Sequence, residues 1–308
     1  METWLRTPPK LLRQAARVEP VKHFKWGSLW MLIAAFFFAV MGVLVKIASH
    51  KYSSAELVFY RSLVGLVFIS SFVLSQKRSL KTPHLSKHMS RSIIGFISMV
   101  MFFFAIGQLP LATAITLNYT SPLAMACILT FSLHEKPRKI LITALITGFL
   151  GVAFLLKPSL HHGELVAGGL GLLSGLMAGW VYVYVTQLGR AGEPDWRTVF
   201  YFSLVCTLGG GAWMLIHHFH PVEFKDLPML AGLGTSATIA QLAMTRAYRT
   251  GNPLVVGSLA YSTVVLASLF GILLWKETLT LDNWLAILMI IGSGVMSVVA
   301  NAQNKQNP

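Results

Sequence analysis

Acidic residues are scarce in this chain, which has 11 Asp and Glu among 308 residues against 25 Lys and Arg. Charged residues of both signs make up 12% of the sequence, whereas 55% of the residues are hydrophobic and the mean hydropathy is +0.64. A typical soluble domain has about twice this fraction of charged residues. The shortage of charge therefore excludes an ordinary soluble domain and predicts an integral membrane protein.

Residues that carry enzyme chemistry are absent from the apolar runs. All Asp and Glu lie in tails, loops or helix ends, and the ten His lie outside the runs or at their edges. A hydrolase or transferase needs a nucleophile with a base, a metal cluster or paired carboxylates. The sequence offers none of these sets, so we predict no enzyme activity, no cofactor and no metal site.

Ion coupling is also disfavoured, because a proton or sodium relay usually places a carboxylate near the middle of the membrane. A facilitator or exchanger fits better, although Glu135 and Glu277 at helix ends stay open as coupling residues. Cysteine is limited to Cys127 and Cys206, in different apolar runs, where we expect packing roles and no disulfide.

Ten apolar runs approach the length of about 20 residues that a helix needs to cross about 30 Å of hydrocarbon. They are residues 27–48, 54–75, 92–109, 111–133, 140–156, 165–188, 198–216, 228–248, 253–274 and 283–300. No clear small-residue cleavage site follows the first run, so we expect it to stay in the protein. The sequence predicts an all-α integral membrane protein with ten transmembrane helices, called here spans 1 to 10.

Lys and Arg concentrate on one side of these spans. The N-terminal tail and the loops after spans 2, 4, 6 and 8 hold most of them. Basic residues near helix ends mark the cytoplasmic side, so both termini are predicted to be cytoplasmic. This topology explains the net charge of +14, which therefore does not indicate nucleic-acid binding.

A heptapeptide occurs twice in the chain. The sequence VFYRSLV at 58–64 returns as VFYFSLV at 199–205, and the only difference is Arg61 against Phe202. The two copies lie 141 positions apart. This spacing relates span 2 to span 7.

A second match supports the same relation between the two halves. The sequence LNYTSPL at 117–123 aligns with LAYSTVV at 259–265, which places Tyr119 on Tyr261. Spans 1 to 5 and 6 to 10 are therefore predicted to be two copies of one unit. Because five is odd, the second copy enters the membrane from the opposite face, which gives inverted-topology repeats.

Each copy also has a helix that ends in an acidic residue, CILTFSLHE and SLFGILLWKE, followed by a Gly-rich helix, ITGFLGVAFLLKP and LMIIGSGVMSVV. With the 5+5 arrangement and an Arg in span 2, these features resemble the drug/metabolite transporter superfamily, specifically its ten-helix EamA-type permeases. The resemblance implies four segments. They are a basic cytoplasmic tail at 1–26, a first repeat at 27–156, a second repeat at 157–300 and a cytoplasmic C-tail at 301–308.

The resemblance implies a secondary transporter in the bacterial cytoplasmic (inner) membrane that moves a small polar or amphipathic metabolite by alternating access. An amino acid or a metabolite of similar size is the favoured substrate. A nucleoside- or cofactor-like substrate and a noncatalytic membrane scaffold with a carrier fold stay open. The expected partners are the metabolite and the lipid bilayer. Direction of transport stays open, as does the choice between monomer and homodimer.

Polar and aromatic side chains near the middle of the spans define a candidate substrate site, because such groups are costly in lipid and face the bundle interior or a cavity. Tyr119 and Tyr261 lie nine residues into spans 4 and 9, and Pro122 predicts a kink in span 4. The candidate substrate contacts are Tyr119, Asn118, Thr120, Ser121, Tyr261, Ser262, Thr263, Trp180, Gln241 and Arg61. The alternative is that these side chains only join helices by hydrogen bonds.

Arg61 has two interpretations. It lies about 10 Å into span 2 at 1.5 Å per residue. It either has a structural role, by reaching the membrane surface, bonding exposed carbonyls or pairing with Glu56, or it binds an anionic group of the substrate. The structural role is favoured, because the resemblance places an Arg here in members with unrelated substrates.

Overall fold

The computed structural model describes residues 27–109, 111–131, 138–156, 164–275 and 281–303. Every regular element in these ranges is helical, and two of them are short 3₁₀ helices at Gly27–Leu29 and Phe224–Asp226. The α-helices in chain order are α1 Trp30–Ala48, α2 Ser54–Ser75, α3 Leu85–Gln108, α4 Leu111–Asn118, α5 Ser121–Phe131, α6 Lys139–Leu156, α7 Leu165–Arg190, α8 Asp195–His217, α9 Leu227–Thr250, α10 Pro253–Ala260, α11 Ser262–Trp275 and α12 Leu281–Gln303.

Nine helical stretches in the described part of the chain are long and apolar enough to cross a membrane, and α6 contains a shorter apolar helix over Lys139–Phe154. Large apolar side chains such as Leu74, Phe131 and Leu215 are exposed on the outside of the bundle. Soluble proteins rarely expose so much apolar surface to water, whereas the acyl chains of lipid are compatible with it. The structure is thus that of an all-helical, multi-pass membrane protein.

Spans 4 and 9 are each interrupted at the same place. Helix α4 ends at Asn118 and α5 begins at Ser121, whereas α10 ends at Ala260 and α11 begins at Ser262. Pro122 accounts for the first break, because it has no backbone N–H and fits only the first turn of the new helix. The second break has no proline beside it, and the sequence did not predict it. Two short helices in series thus replace one long helix in each repeat.

The helices pack in pairs that the internal repeat relates. Helix α2 packs along α8 and α6 along α12, so these pairs join equivalent spans. Helix α1 packs on α9 and α3 packs on α7, and the repeat exchanges these two pairs. This is the pattern of two copies related by an approximate two-fold axis, as the repeated sequence predicted.

Two backbone positions show the same relation. Lys77 (φ 48°) and His218 (φ 63°) are the non-glycine residues with positive φ in the described part of the chain. They lie 141 positions apart, which is the offset of the repeated heptapeptide, just after α2 and α8. Each lets the chain turn sharply at the end of a helix. The copies are therefore alike in backbone as well as in sequence.

Glycines of α7 bring that helix close to the broken fourth span. A Cβ on Gly175 would lie 2.6 Å from the carbonyl oxygen of Leu117, and one on Gly179 would lie 2.9 Å from the backbone nitrogen of Met125. Gly171 packs on the Leu117 side chain. These contacts are the close approach that small residues allow between transmembrane helices.

The predicted start of span 3 was wrong. Helix α3 begins at Leu85, seven residues before position 92. Hydropathy placed Arg91 in the preceding loop because Lys and Arg lower the average of any window that contains them. In the structure Arg91 is helical and 1% exposed. This correction moves a cation from the loop into the interior.

Candidate functional site

A cavity of about 360 Å³ lies between the helices of both repeats. Its lining runs along α3 from Arg91, in the second turn, to Ile106, in the last turn. Fifteen helical steps correspond to about 22 Å, so the cavity is elongated along the helix axes. Its volume is in the range of about 300–1,000 Å³ that is usual for small-molecule sites.

Six of the ten predicted site residues line this cavity, and they come from both repeats. They are Arg61, Asn118, Tyr119, Ser121, Gln241 and Thr263. Asn118, Tyr119 and Ser121 line the cavity at the break between α4 and α5. Their contact with a substrate stays a prediction.

The other four predicted residues do not line the cavity. The Thr120 hydroxyl donates to the carbonyl of Leu117 at 2.8 Å, and the Ser262 hydroxyl donates to the carbonyl of Leu259 in α10, across the second break. Trp180 is 42% exposed on the outer surface. Tyr261 is fully buried, with its ring 6.2 Å from that of Tyr119.

Hydrogen bonds fix the end of α4 beside the cavity. The Asn118 side-chain amide donates to the Ser174 hydroxyl at 3.0 Å, and that hydroxyl donates to the carbonyl of Gly171 at 2.6 Å. Ser98 of α3 donates to the carbonyl of Ser174 at 2.8 Å. The break is thus tied to α7 and, through α7, to α3. Asn118 serves both the interhelical contact and the cavity wall.

Two arginines approach one aromatic ring at the cavity. The guanidinium carbon of Arg91 lies 3.9 Å from the centre of the Phe202 ring, and that of Arg61 lies 5.9 Å from it. Arg61 is 4% exposed and donates from Nη1 to the sulfur of Met99 at 2.7 Å. It therefore neither reaches the membrane surface nor pairs with Glu56. The Arg91 distance is that of a close cation–π contact, and the Arg61 distance is near the limit of about 6 Å for such a contact.

Arg91, Phe202 and Tyr182 are cavity residues that the sequence analysis missed. A signal for Arg91 was present in the spacing of polar and small residues at the start of α3. The residues His88, Arg91, Ser92, Gly95 and Ser98 are all buried and repeat at helical intervals. Such a stripe predicts a buried helix face even where the mean hydropathy is low.

A polar cluster joins the loop after α1 to the loop before α9. Lys51 lies 2.6 Å from the carboxylate of Asp226, and the Tyr52 hydroxyl donates to the same group at 2.7 Å. Burial and this hydrogen bond raise the pKa of Tyr52 to about 12. Nearby, Glu56 lies 2.8 Å from the His220 ring and also accepts from its backbone N–H. These contacts connect the first repeat to the second.

A second polar cluster joins the repeats at the other ends of α2 and α8. The carboxylate of Glu193 accepts from the Thr82 hydroxyl, lies 2.7 Å from Arg197 and lies 3.3 Å from Nε2 of His88. Burial alone raises the pKa of Glu193, but hydrogen bonds from Thr82, Arg197 and His88 outweigh it and hold the pKa below its ordinary value. The cavity thus lies between two charged clusters.

Metal-binding groups are not gathered in the described part of the chain, where no three His, Cys, Asp or Glu side chains come together. His217 stacks on Trp213 with 4.3 Å between ring centres. Cys127 is exposed and Cys206 is buried, and both are free thiols. Glu135 and Glu277, which the sequence left open as coupling residues, lie outside the described residues.

A solved crystal structure has the same fold, with a TM-score of 0.75 at 18% identity, and the match covers 92% of this chain and 99% of the other. The pseudopaline exporter CntI of Pseudomonas aeruginosa is 29% identical over 276 residues, which cover 90% of this chain and 94% of the exporter.

Two more distant relatives are named for different substrates. A riboflavin transporter of Vibrio cholerae is 24% identical over 88% of this chain and 92% of its own length. An S-adenosylmethionine uptake transporter of Rickettsia prowazekii is 20% identical over 84% of this chain and 87% of its own length.

The family model described as the EamA-like transporter family matches this chain twice, at residues 25–157 and 166–299. The two matches cover most of the chain and coincide with the two copies that the repeated sequence and the paired helices indicate. The protein therefore belongs to the EamA-like transporter family.

Proposed function

We propose that this protein is a secondary transporter that moves a small metabolite across the bacterial cytoplasmic membrane by alternating access. The observation that carries the proposal is the cavity beside the two broken spans. Carriers built from inverted repeats bind their substrates near the middle of the membrane, at discontinuous helices between the repeats. Asn118, Tyr119 and Ser121 line the cavity at the first break, and Ala260 and Thr263 line it at the second.

The proposed topology has ten spans, with both termini in the cytoplasm and a division into repeats at 27–156 and 157–300. The two family matches, at 25–157 and 166–299, support the division. The asymmetric distribution of Lys and Arg supports the orientation. On this topology the Lys51 cluster lies at the outer face and the Glu193 cluster at the inner face.

Alternating access assigns a role to the two clusters. Each holds the repeats together at one end of the cavity, so each opening of the cavity requires one of them to loosen while the other stays closed. Lys51 is 31% exposed, so solvent screens its pair with Asp226 and the outer contact separates at modest cost. Glu193 and His88 are buried, so the inner contact costs more to separate. The pairing of α2 with α8 lies between the clusters and provides the surface about which the repeats rock.

The substrate class proposed here is a small polar or amphipathic metabolite. The named relatives support this breadth, since they are transporters of pseudopaline, S-adenosylmethionine and riboflavin. One is named an exporter and another an uptake transporter, so the direction for this chain is left to experiment. Aromatic rings beside hydroxyl and amide groups fit a metabolite that has both apolar and polar faces.

Transport is tested with the purified protein in proteoliposomes. The vesicles are incubated with a bacterial metabolite extract, and mass spectrometry compares their contents with those of protein-free vesicles. We expect at least one metabolite to accumulate with the wild type and to be lost with Tyr119→Ala, while Trp180→Ala, which changes an exposed position, retains uptake. If the well-folded wild type moves no metabolite in either direction, a scaffold role replaces the proposed one.

A further inference from the structure

The cavity lining is cationic. Its ionisable side chains from the described residues include Lys46, Arg61 and Arg91, and the lining has no Asp or Glu. Arg61 and Arg91 are 4% and 1% exposed, so water does little to screen them. An Arg side chain keeps its charge in proteins. A region of concentrated positive charge thus lies inside the membrane-spanning bundle.

The two arginines lack strong acceptors. Nε of Arg61 and both Nε and Nη1 of Arg91 are buried without a hydrogen-bond partner. The acceptor for Nη1 of Arg61 is the sulfur of Met99, and a thioether is a weak acceptor. A buried charge without a counter-charge is costly, and proteins keep such groups mainly where they have a function.

Carboxylates of the described chain do not neutralise this charge. Glu56 lies against His220, Glu193 against Arg197, and Asp226 against Lys51. Asp195 lies 2.9 Å from Arg249, and Glu223 lies 2.8 Å from Lys51 and Lys225. Glu164 directly precedes α7, and Asp282 lies in the first turn of α12, so both lie at helix ends. The counter-charge for Arg61 and Arg91 therefore has to come from outside the described chain.

The stacked arrangement prepares the arginines for an anion. A guanidinium that lies on the face of an aromatic ring keeps its N–H groups in its own plane, where they remain available as donors. Phe202 supports Arg91 in this way at 3.9 Å, and Arg61 lies farther from the same ring, at 5.9 Å. Carboxylate and phosphate oxygens match the paired donors of a guanidinium edge.

We infer that the cavity binds an anionic metabolite, whose carboxylate or phosphate group sits between Arg61 and Arg91 while Asn118 and Tyr119 contact the rest of the molecule. The inference rests on the proposed transport function for its cargo, but the anion site itself can be tested without transport. It assigns Arg91 a binding role and changes the favoured role of Arg61 from structural to substrate-binding.

Binding is measured by thermal unfolding of the purified protein in detergent at constant ionic strength. The anionic probes are citrate, L-glutamate and inorganic phosphate, and neutral L-glutamine and cationic L-lysine serve for comparison. A metabolite extract is also tested after anion-exchange chromatography, as the retained (anion-retained) fraction and the flow-through fraction. We expect anions to raise the unfolding temperature of the wild type in a saturable way. Comparing the rise in unfolding temperature caused by citrate and glutamate with that caused by phosphate then distinguishes a carboxylate ligand from a phosphate ligand.

Variants locate the effect. Arg61→Met and Arg91→Met should weaken the anion response about tenfold or more, since each removes charge-assisted hydrogen bonds. Lys225→Gln removes an exposed cation at a helix end and should respond like the wild type. If anions stabilise all four proteins equally, or if the neutral probe and the flow-through fraction act as strongly as the anions, the inference is wrong.

The ligand-free protein separates binding from a structural role. If Arg61 and Arg91 hold the helices together, their Met variants unfold at a lower temperature without ligand. If they serve a ligand, replacing a lone buried charge with an apolar chain leaves the unfolding temperature unchanged or raises it. Where one variant fails to fold, the charge-conserving Arg61→Lys and Arg91→Lys variants still decide the matter, because they should retain part of the anion response.

Transport distinguishes failure of this inference from failure of the proposed function. Uptake of metabolites only from the flow-through fraction, independent of both arginines, supports the transporter and overturns the anionic substrate. An anion response that depends on the arginines without any flux supports the anion site and overturns the transporter. Arginine-dependent uptake from the anion-retained fraction supports both.

Discussion

Close packing of α7 on the broken fourth span makes a specific prediction about two glycines of that helix. A Cβ on Gly175 would lie 2.6 Å from the carbonyl oxygen of Leu117 and 3.0 Å from that of Asn118. A Cβ on Gly169, six residues earlier in the same helix, would have no heavy atom within 4 Å. Gly175→Ala and Gly169→Ala are therefore the same chemical change in a tight and in an open place.

The expected difference follows from two opposing terms. Alanine in place of glycine stabilises a helix by up to about 1 kcal/mol, and Gly169→Ala should show only this gain. In Gly175→Ala the backbone of α4 must move away by roughly 0.5 Å or more to restore a normal carbon–oxygen contact. Such overpacking costs about 1–3 kcal/mol, so we expect the two variants to differ by about 2 kcal/mol or more.

Equilibrium unfolding in mixed micelles with increasing SDS measures this difference directly. Gly175→Ala should also reduce uptake in proteoliposomes, because the displaced segment contains Asn118 and its cavity wall. Gly169→Ala should transport like the wild type. If the two variants have equal stability and equal uptake, α7 does not pack on the break as described, and the position of the cavity wall has to be revised.

Three further predictions test other parts of the structure. Tyr119→Ala should abolish uptake while the protein stays monodisperse in size-exclusion chromatography, and unaltered uptake would remove Tyr119 from the site. Because the pKa of Glu193 is lowered in the folded state, its contribution to stability is present above about pH 4.5 and lost as the pH falls through the lowered value; Glu193→Gln should therefore flatten the acid side of a stability–pH curve, and an unchanged curve would contradict the Glu193 contacts. The third prediction uses single-cysteine variants without the native cysteines, in right-side-out inner-membrane vesicles. A membrane-impermeant thiol reagent should label His218→Cys in intact vesicles and Lys77→Cys only after lysis. Labelling of both variants from one side would refute inverted repeats.

The fold could be predicted from the sequence to a large extent, because hydrocarbon imposes simple requirements on length and hydropathy. Runs of about 20 apolar residues give the spans. The heptapeptide shared by residues 58–64 and 199–205 identifies the two halves of the chain as copies, and the helix pairs of the structure agree with this repeat. Pro122 gave the first break through its missing donor. The second break, at Tyr261, depends on tertiary packing that leaves no local mark.

The site was harder to predict, because a span fixes the depth of a residue but not the direction in which it faces. Trp180 and Tyr182 lie at nearly the same depth in α7, yet the first is on the outer surface and the second lines the cavity. Tyr261 faces Gly148 of α6, where a Cβ would lie 2.6 Å from its ring. Arg91 was hidden for a different reason, since a window average treats a buried cation as the end of a span.

The difference between the two heptapeptides now has a physical explanation. Arg61 and Phe202 are equivalent in the repeat, and the pairing of α2 with α8 brings equivalent positions together near the approximate two-fold axis. Two arginines there would repel each other, whereas two phenylalanines would leave the cavity with Lys46 and Arg91 but without the second arginine beside Phe202. With one of each, the ring supports the guanidinium of its own partner and also that of Arg91. Tyr119 and Tyr261, which are likewise equivalent and in ring contact, are the same residue in both copies, so of these two pairs only the Arg61–Phe202 pair departs from symmetry. A single substitution in one copy can therefore add a charge to a site on a symmetry axis.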